Sequence, residues 1–500
     1  MAMVHVMRCR QVVVVALASC LLTACGSTVQ IRSSGVQRSD GFTAPAHGVG
    51  GTNASTGGAT TGSQAAPDGP VDTSGVLTPT GQSGSTPPRP TSSTETPGSV
   101  TPSNGTVTRR PVKLGVITQP GLETTAKAIG LEGVTTGDTR KQVDAVLAWL
   151  KVNGGLAGRP IQVFEYKVDS SGSSNAEIQS QACTAMTQDY KVDYVITVLG
   201  SLQTLAACLQ KAGVPLLADN TNFGDSTMRR YAPILANPSE VAPGRANTLL
   251  IDELWKQKWL TATSKIGVLA LDGPDGHETV GGPVTAALQR HGLKAAVTVY
   301  VNPNNGDGGS SASSSAVLRF RQAGVDRVLP VLYSPLYMMT TAESQGYRPA
   351  YAMVSQQGPG ALLETIAPKN QLKNAAGIGW QPYLDIGSGT KPGPVSPRET
   401  LCFDLMKKAG QAANSALVKG FQAQVCDLLF YLKDLSTKRP DLPKDLMTTA
   451  RRQLGAGFVS PSTFRVDVTN RTDGMAGYRP LAFLDDCSCF QYTGPLVKTR

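Results

Sequence analysis

Between Asp193 and Asn222 apolar and polar positions come in blocks: an apolar, β-branched run DYVITVLG stopping at Gly200-Ser201, a helical stretch LQTLAACLQKAG ending at Gly213, and a second apolar run VPLLAD before Asn220-Thr221-Asn222. Blocks of this kind predict strand, helix and strand, one βαβ unit. Continuous apolar strands joined by a helix belong to parallel sheets covered on both faces, which bind ligands at the carboxyl ends of their strands. Both turns fall on that edge. Small and hydroxylated residues there let a ligand approach the backbone, and a helix beginning near Leu202 offers unpaired N–H groups to an anion. The same residues also suit plain tight turns.

The pattern extends both ways. VKLGVITQPG (112–121) reads as a buried strand and its turn; Arg140 to Val152 is a helix with Val143, Val146, Leu147 and Leu150 on one face; Gly154-Gly155 breaks it before the strand RPIQVFEYKVD. Together these predict β-α-β-α-β-α-β. After Asn237-Pro238 the alternation restarts with helix 245–259, strand KIGVLALD, helix 279–291, strand KAAVTVYV, helix 313–323, strand RVLPVLY, helix 336–345 and strand AYAMVS. From Ala375 follow an extended segment, helices at 399–408, 418–437 and 443–454, and a hairpin over 464–492. The expectation is an α/β protein of two doubly wound parallel-sheet lobes with a ligand cleft between them.

The first 110 residues read differently. Met1 to Ala24 carries Arg8 and Arg10 before QVVVVALASCLLTA, too short for a spanning helix and suited to a signal peptide. Residues 26–110 are Ser, Thr, Gly and Pro with few large apolar residues, unable to offset their ordering entropy. Such a tether spans roughly 50 Å as a flexible coil, more with its prolines extended. About 390 of the 500 residues remain, a length that fits two lobes better than one core.

The net charge of +10 is spread over single and paired cations, with no basic run to suggest nucleic acid. The folded part has only His277 and His291 and no CxxC or HExxH, so neither a metal nor another cofactor is expected. Neither a GxSxG turn nor a His-centred triad is present, which argues against an enzyme. Six cysteines follow Cys25, an even count that suits disulfides in an exported protein. Adjacency pairs Cys183 with Cys208, Cys402 with Cys426 and Cys487 with Cys489; redox or metal use of Cys487-Ser488-Cys489 is the alternative.

Two resemblances add to this reading. Leu22-Thr23-Ala24-Cys25-Gly26 resembles a bacterial lipobox, which implies cleavage after Ala24 and a lipid on Cys25 that ties the protein to the membrane. From Val112 to Tyr492 the chain resembles the type I solute-binding proteins of ABC importers, in the branched-chain amino acid group. The residues that carry the likeness are KLGVITQPG, the passage Trp149 to Pro160 with its NGGxxGR motif, Ala212-Gly213-Val214-Pro215, and KIGVLALDGPDG. The likeness implies the type I periplasmic binding protein fold with crossed hinge connections: residues 111–238 and 377–455 in one lobe, 239–376 and 456–500 in the other.

It also implies ligand contacts. Ser201, Gln203 and Thr204 lie in the turn after the third strand, where the family receives a ligand carboxylate; Asn220 and Thr221 lie after the fourth, and Glu240 matches an acidic hinge position. In the second lobe Asp275 stands where the family has an aromatic, and Gln357 where it has the carboxylate that meets an ammonium. A neutral amide there argues against a plain amino acid unless Asp275 restores the charge. Tyr333 and Ser334 complete the set, Tyr333 as a stacking face. The expected activity is that of a monomeric, lipid-anchored receptor passing a small-molecule ligand to an ABC importer permease. A sensor without transport and an envelope scaffold with a lost ligand site are the alternatives.

Overall fold

The computed structural model describes residues 110–120, 136–168, 175–198, 202–218, 221–302, 309–364, 367–387, 396–442, 445–469 and 471–499. The segment expected to be a signal peptide, Cys25, the expected tether up to residue 109, Ser201 and Asn220 lie outside the described residues.

The first sheet is built by β1 (Val112–Thr118), helix α1 (Thr139–Val152), β2 (Ile161–Lys167), α2 (Asn175–Thr184), β3 (Tyr194–Thr197), α3 (Gln203–Ala212), β4 (Leu216–Ala218), α4 (Asp225–Tyr231) and β5 (Leu235–Ala236). Its order is β2-β1-β3-β4-β5, parallel throughout. Alternate residues of β1 serve two cores: Leu114 and Val116 pack with α1, Ile117 with Cys183, Leu205 and Leu209 on the opposite face. The two-residue strand β5 is too short to be read from the sequence.

Local chemistry explains the NGGxxGR passage. Asp138 caps α1 by accepting the Lys141 N–H at 3.1 Å, and Val143, Val146, Leu147 and Leu150 are buried as their spacing requires. The helix ends at Val152, and the Gly155 N–H turns back to the Leu150 carbonyl at 2.8 Å. Gly155 has φ of +59°, and a Cβ there would lie 1.9 Å from the Arg159 carbonyl, so the turn tolerates only glycine. Lys433 Nζ then ties the turn down through the carbonyls of Asn153 (3.0 Å) and Gly155 (2.5 Å).

The second lobe contains α5 (Pro243–Lys256), β6 (Ile266–Leu271), α6 (Pro274–Thr279), α7 (Thr285–Arg290), β7 (Ala295–Val301), α8 (Ser310–Gln322), β8 (Arg327–Val331), α9 (Leu336–Ser344), β9 (Ala350–Val354), the short helices α10 (Pro359–Leu363) and α11 (Lys369–Leu372), β10 (Ala376–Gly379) and α12 (Pro382–Asp385). Helices α13 (Pro397–Lys408), α14 (Ala416–Lys438) and α15 (Leu446–Leu454) pack back on the first sheet. Strands β11 (Gly477–Leu484), β12 (Cys489–Tyr492) and β13 (Val497–Lys498) close the chain.

The second sheet runs β12-β11-β10-β9-β8-β6-β7, with β13 on β11. Its members β7, β6, β8, β9 and β10 are parallel, and β11 joins β10 antiparallel. This moves one boundary: the sequence reading returns the chain to the first lobe at Gly377, whereas β10 hydrogen-bonds between β9 and β11 in the second sheet. The chain crosses back only after Gly379. The run Ala-Gly-Ile-Gly carries too little apolar surface to announce a central strand, and its neighbours on both sides supply the burial.

Three disulfides are present: Cys183–Cys208 joins α2 to α3, Cys402–Cys426 joins α13 to α14, and Cys487–Cys489 spans the β11–β12 turn rather than lying within one strand. With sequence separations of 25 and 24 the first two stabilise by about 3–4 kcal/mol each in the chain-entropy model. The third, with a separation of 2, contributes about half as much.

The crossover segments are held to each other by buried hydrogen bonds. The Glu240 carbonyl accepts the N–H groups of Gly474 (3.1 Å) and Met475 (2.9 Å), and Asp473 Oδ2 accepts from the Ala242 N–H (2.7 Å) and Arg245 Nε (2.9 Å). Asp427 on α14 accepts from the hydroxyls of Ser460 (2.6 Å) and Ser462 (2.9 Å). Burial in this place pushes the Asp427 carboxyl up to about 6 despite those donors. Among the described residues no helix is long and apolar enough to cross a membrane, and no group of three or more His, Cys, Asp or Glu is arranged to hold a metal ion.

Candidate ligand-binding cleft

Residues following the carboxyl ends of the strands come from both lobes: Gln119 after β1, Thr221 after β4, Asn237 after β5, Asp275 after β6, Ser334 after β8, Ser355 to Gln357 after β9, and Trp380-Gln381 after β10. Among the described residues, thirteen buried side-chain polar atoms have no hydrogen-bond partner, and seven of them belong to these segments or to Asp385 beside them: Gln119 Oε1, both amide atoms of Asn237, Ser334 Oγ, Trp380 Nε1, Gln381 Nε2 and Asp385 Oδ1. Each such atom costs about 1–3 kcal/mol unless water or a ligand meets it.

One network fixes the segment after β10. Ser355 Oγ accepts the N–H groups of Trp380 (2.7 Å) and Gln381 (3.2 Å), while Asp385 Oδ2 accepts from the Gln381 N–H (3.0 Å) and the Tyr492 hydroxyl (2.6 Å). Full burial raises the Asp385 carboxyl to about 7, the hydrogen bonds offsetting only part of that cost. A carboxyl poised there exchanges a proton near neutrality.

The two lobes touch through α4 and α6. Asp275 Oδ1 accepts the Thr227 hydroxyl at 2.6 Å, and Asp275 Oδ2 lies 3.5 Å from Gln203 Nε2. Next to it Glu278 accepts the N–H (3.1 Å) and hydroxyl (2.5 Å) of Ser226 in the first turn of α4, where the helix presents free N–H groups. The approach is close enough that a Cβ on Gly224 would lie 2.8 Å from Asp275 Oδ1. The Asp225 carboxyl, largely buried, is raised above the ordinary range while accepting the Gly244 N–H at 2.8 Å.

Against this geometry the sequence-derived residues divide. Gln203 and Asp275 are brought together across the lobes; Thr204, half-buried, follows on α3; Thr221 is buried. Glu240 is buried and accepts from Gln356 Nε2 at 2.9 Å, a bond from the crossover to the β9 end. Ser334 is buried with its hydroxyl unpartnered. Two residues face away from the expected role. Tyr333 is enclosed in the core with Val301, Phe320 and Tyr337, its hydroxyl 3.4 Å from Ser313 Oγ, so its ring is not a stacking face. Gln357 accepts the Val354 N–H at 2.7 Å and donates to the Pro330 carbonyl at 3.3 Å, tying the ends of β9 and β8 together. A carboxylate could not make the second bond, so the neutral amide at 357 has a structural reason independent of any ligand.

The sequence reading missed Ser226, Thr227, Glu278, Asn237, Trp380, Gln381, Asp385 and Tyr492. Trp380-Gln381 follow β10 as the turn residues follow β3, but recognising them required knowing that Gly377 to Gly379 is a central strand.

Two α/β lobes with crossed connections and polar strand ends define a binding protein of the hinged, two-lobed class, with the type I periplasmic binding protein fold. The chain belongs to the periplasmic binding protein family, whose signature matches residues 129–389. Members of this family are solute receptors rather than enzymes. Among similar solved structures are a solute-binding protein of an ABC transporter from Rhodopseudomonas palustris HaA2 in complex with p-hydroxybenzoic acid (15% identity, 78% of this chain and 97% of that one, TM-score 0.56), an ABC transporter substrate-binding protein from Desulfitobacterium hafniense in complex with Leu (12%, 77% and 100%, 0.52), and a possible leucine/isoleucine/valine-binding protein from Rhodopirellula baltica SH 1 (15%, 78% and 97%, 0.53). No curated protein matches the sequence.

Proposed function

We propose that the protein is a monomeric, lipid-anchored extracytoplasmic receptor that closes on a small polar solute and passes it to an ABC importer permease. The observation that carries this reading is the set of unpartnered polar atoms at the strand ends, donors and acceptors together, which a small polar molecule would satisfy. Ser201, Gln203, Thr204, Asn220 and Thr221 from the first lobe, and Ser334, Trp380 and Gln381 from the second, are assigned to the ligand; Glu240 is assigned to the hinge. Gln357 is tied within its own lobe, Asp275 already accepts the Thr227 hydroxyl, and burial raises the Asp385 carboxyl to about 7, so an ammonium would meet only a hydrogen-bonded carboxylate and a partly protonated one. The preferred ligand is therefore a neutral amide, a polyol, or an organic acid lacking an ammonium. Receptors of related fold take both kinds, p-hydroxybenzoic acid in one and Leu in another.

A thermal-shift screen of the mature chain against amino acids, amides, organic acids and polyols tests this. A ligand at a hundred times its dissociation constant adds about 2.7 kcal/mol, an easily seen rise in the midpoint. Response to an organic acid or amide with none to leucine supports the assignment; the reverse overturns it. Silence toward every solute favours the envelope scaffold, for which the Asp275–Thr227 and Glu278–Ser226 contacts would hold the lobes together by themselves.

A further inference from the structure

The three disulfides have different surroundings. Cys183, Cys402 and Cys426 are fully buried and Cys208 is half-buried, each pair tying two helices. Cys487 is exposed and Cys489 partly exposed, with one residue between them in the β11–β12 turn. The ladder already pairs Leu484 with Cys489, so the bond closes a loop that hydrogen bonds have closed. Ser488 between the two sulfurs has φ of +48°, a left-handed conformation that a residue with a Cβ adopts at a cost. Gln491 Nε2 lies 3.5 Å from Cys487 Sγ and 3.4 Å from Cys489 Sγ, so one amide donor faces whichever sulfur departs as thiolate. Asp485 and Asp486 are exposed in the same turn.

We propose that Cys487–Cys489 is a thiol-exchange site that takes small thiols carrying no net negative charge. An incoming thiolate attacks Cys487 Sγ and forms a mixed disulfide; the Cys487–Cys489 bond breaks, its electron pair leaves on Cys489 Sγ, and that sulfur takes a proton from solvent. A second thiolate attacks the incoming sulfur of the mixed disulfide, releasing Cys487 as a thiolate that is protonated in turn. The protein disulfide is thereby reduced by two electrons and two small thiols are oxidised to their disulfide. Access and leaving-group stabilisation set the rate, and both favour this pair over the buried ones. The carboxylates of Asp485 and Asp486 repel an anionic thiol and attract a cationic one. The inference does not depend on the cleft or its ligand.

The test uses the mature full-length chain at pH 8, exposed separately to cysteamine, whose ammonium is positive, and to glutathione, which is anionic, then quenched in acid and mapped by mass. Mixed disulfide at Cys487 and alkylation of Cys487 and Cys489 should precede opening of the other two pairs by about tenfold or more in rate. Cysteamine should outrun glutathione by about three- to tenfold, the Asp485→Asn/Asp486→Asn variant should close that gap, and Gln491→Leu should slow opening by about threefold. Opening of all three disulfides at one rate, or absence of any mixed disulfide, overturns the site; equal rates for the two thiols overturn its charge preference.

Discussion

The two lobes use the same kind of edge in different ways. In the first lobe the turns after β3 and β4 have the small, hydroxylated composition that suits a ligand's approach, and α3 and α4 begin beyond them, with the Leu205 N–H taken by Gln179 and the Ser226 N–H by Glu278. In the second lobe the residues after β8 and β9 have the right polarity for a ligand but spend much of it inside the lobe: Gln357 ties two strand ends and Tyr333 fills the core. Among the described residues at those strand ends, the side-chain atoms left unpaired are Ser334 Oγ, Trp380 Nε1, Gln381 Nε2 and Asp385 Oδ1. A polar residue at a familiar position therefore identifies a strand end, whereas its partners decide whether that polarity is offered to a ligand.

The strongest way to break this comparison is Gln357→Glu. If the amide serves the strand ends, the variant loses its donor to Pro330 and buries an unpaired charge, so unfolding in denaturant should show a loss of about 3–5 kcal/mol with no gain in leucine binding. A stable variant that binds leucine tightly would return position 357 to the ligand.

The second test concerns Asp385. Its carboxyl is raised from 3.8 to about 7 in the folded chain, so the folded state binds the proton more tightly than the unfolded one. The resulting stability is fully present below the unfolded value and is lost as pH rises through about 7; Asp427, raised to about 6, acts in the same direction. The unfolding free energy should thus increase by about 2–4 kcal/mol between pH 8 and pH 5, and Asp385→Asn should remove most of that slope. Glu343, lowered to about 2 mainly by hydrogen bonds from Arg348 and Gln371, loses its contribution only below its unfolded value of 4.5, outside this window. A flat profile in the parent chain would show that the group is better solvated than its burial implies.

A smaller effect is expected at the contact between the lobes. Thr227→Val removes the hydroxyl from Asp275 and should cost about 1–2 kcal/mol, with a larger radius of gyration in small-angle scattering as the lobes part. An unchanged radius would mean that Glu278 and Ser226 suffice. The smallest is Tyr333→Phe: the hydroxyl's contact with Ser313 is long, at 3.4 Å, and its loss should change stability by about 1 kcal/mol and leave ligand affinity unaltered. A tenfold drop in affinity would place the Tyr333 ring back at the ligand.

Most of the architecture was legible because it depends on patterns that act locally. The apolar runs at 112–118 and 194–197 are buried strands, the stripe Val143, Val146, Leu147 and Leu150 is one helix face, and the NGGxxGR passage is a glycine-dependent turn. Strand β10 was not legible in this way, since Gly377 and Gly379 bring no side chains to reveal burial, and β5 is only two residues long. Of the candidate site, the sequence placed Gln203 and Asp275 just after β3 and β6, where they stand, yet their meeting across the lobes was invisible at a separation of 72 residues.

Hydrophobic periodicity, turn chemistry and the family resemblance by themselves determined that this chain is a two-lobed α/β receptor, because burial and backbone conformation are set by neighbours in sequence. Tertiary structure alone decided that Gln357 bonds to Pro330, that Tyr333 points into the core, and that Ser334, Trp380 and Gln381 keep polar atoms unpaired. The physical reason is that a hydrogen-bonding side chain is spent or free according to groups brought beside it from distant segments, and no local pattern records which groups those will be.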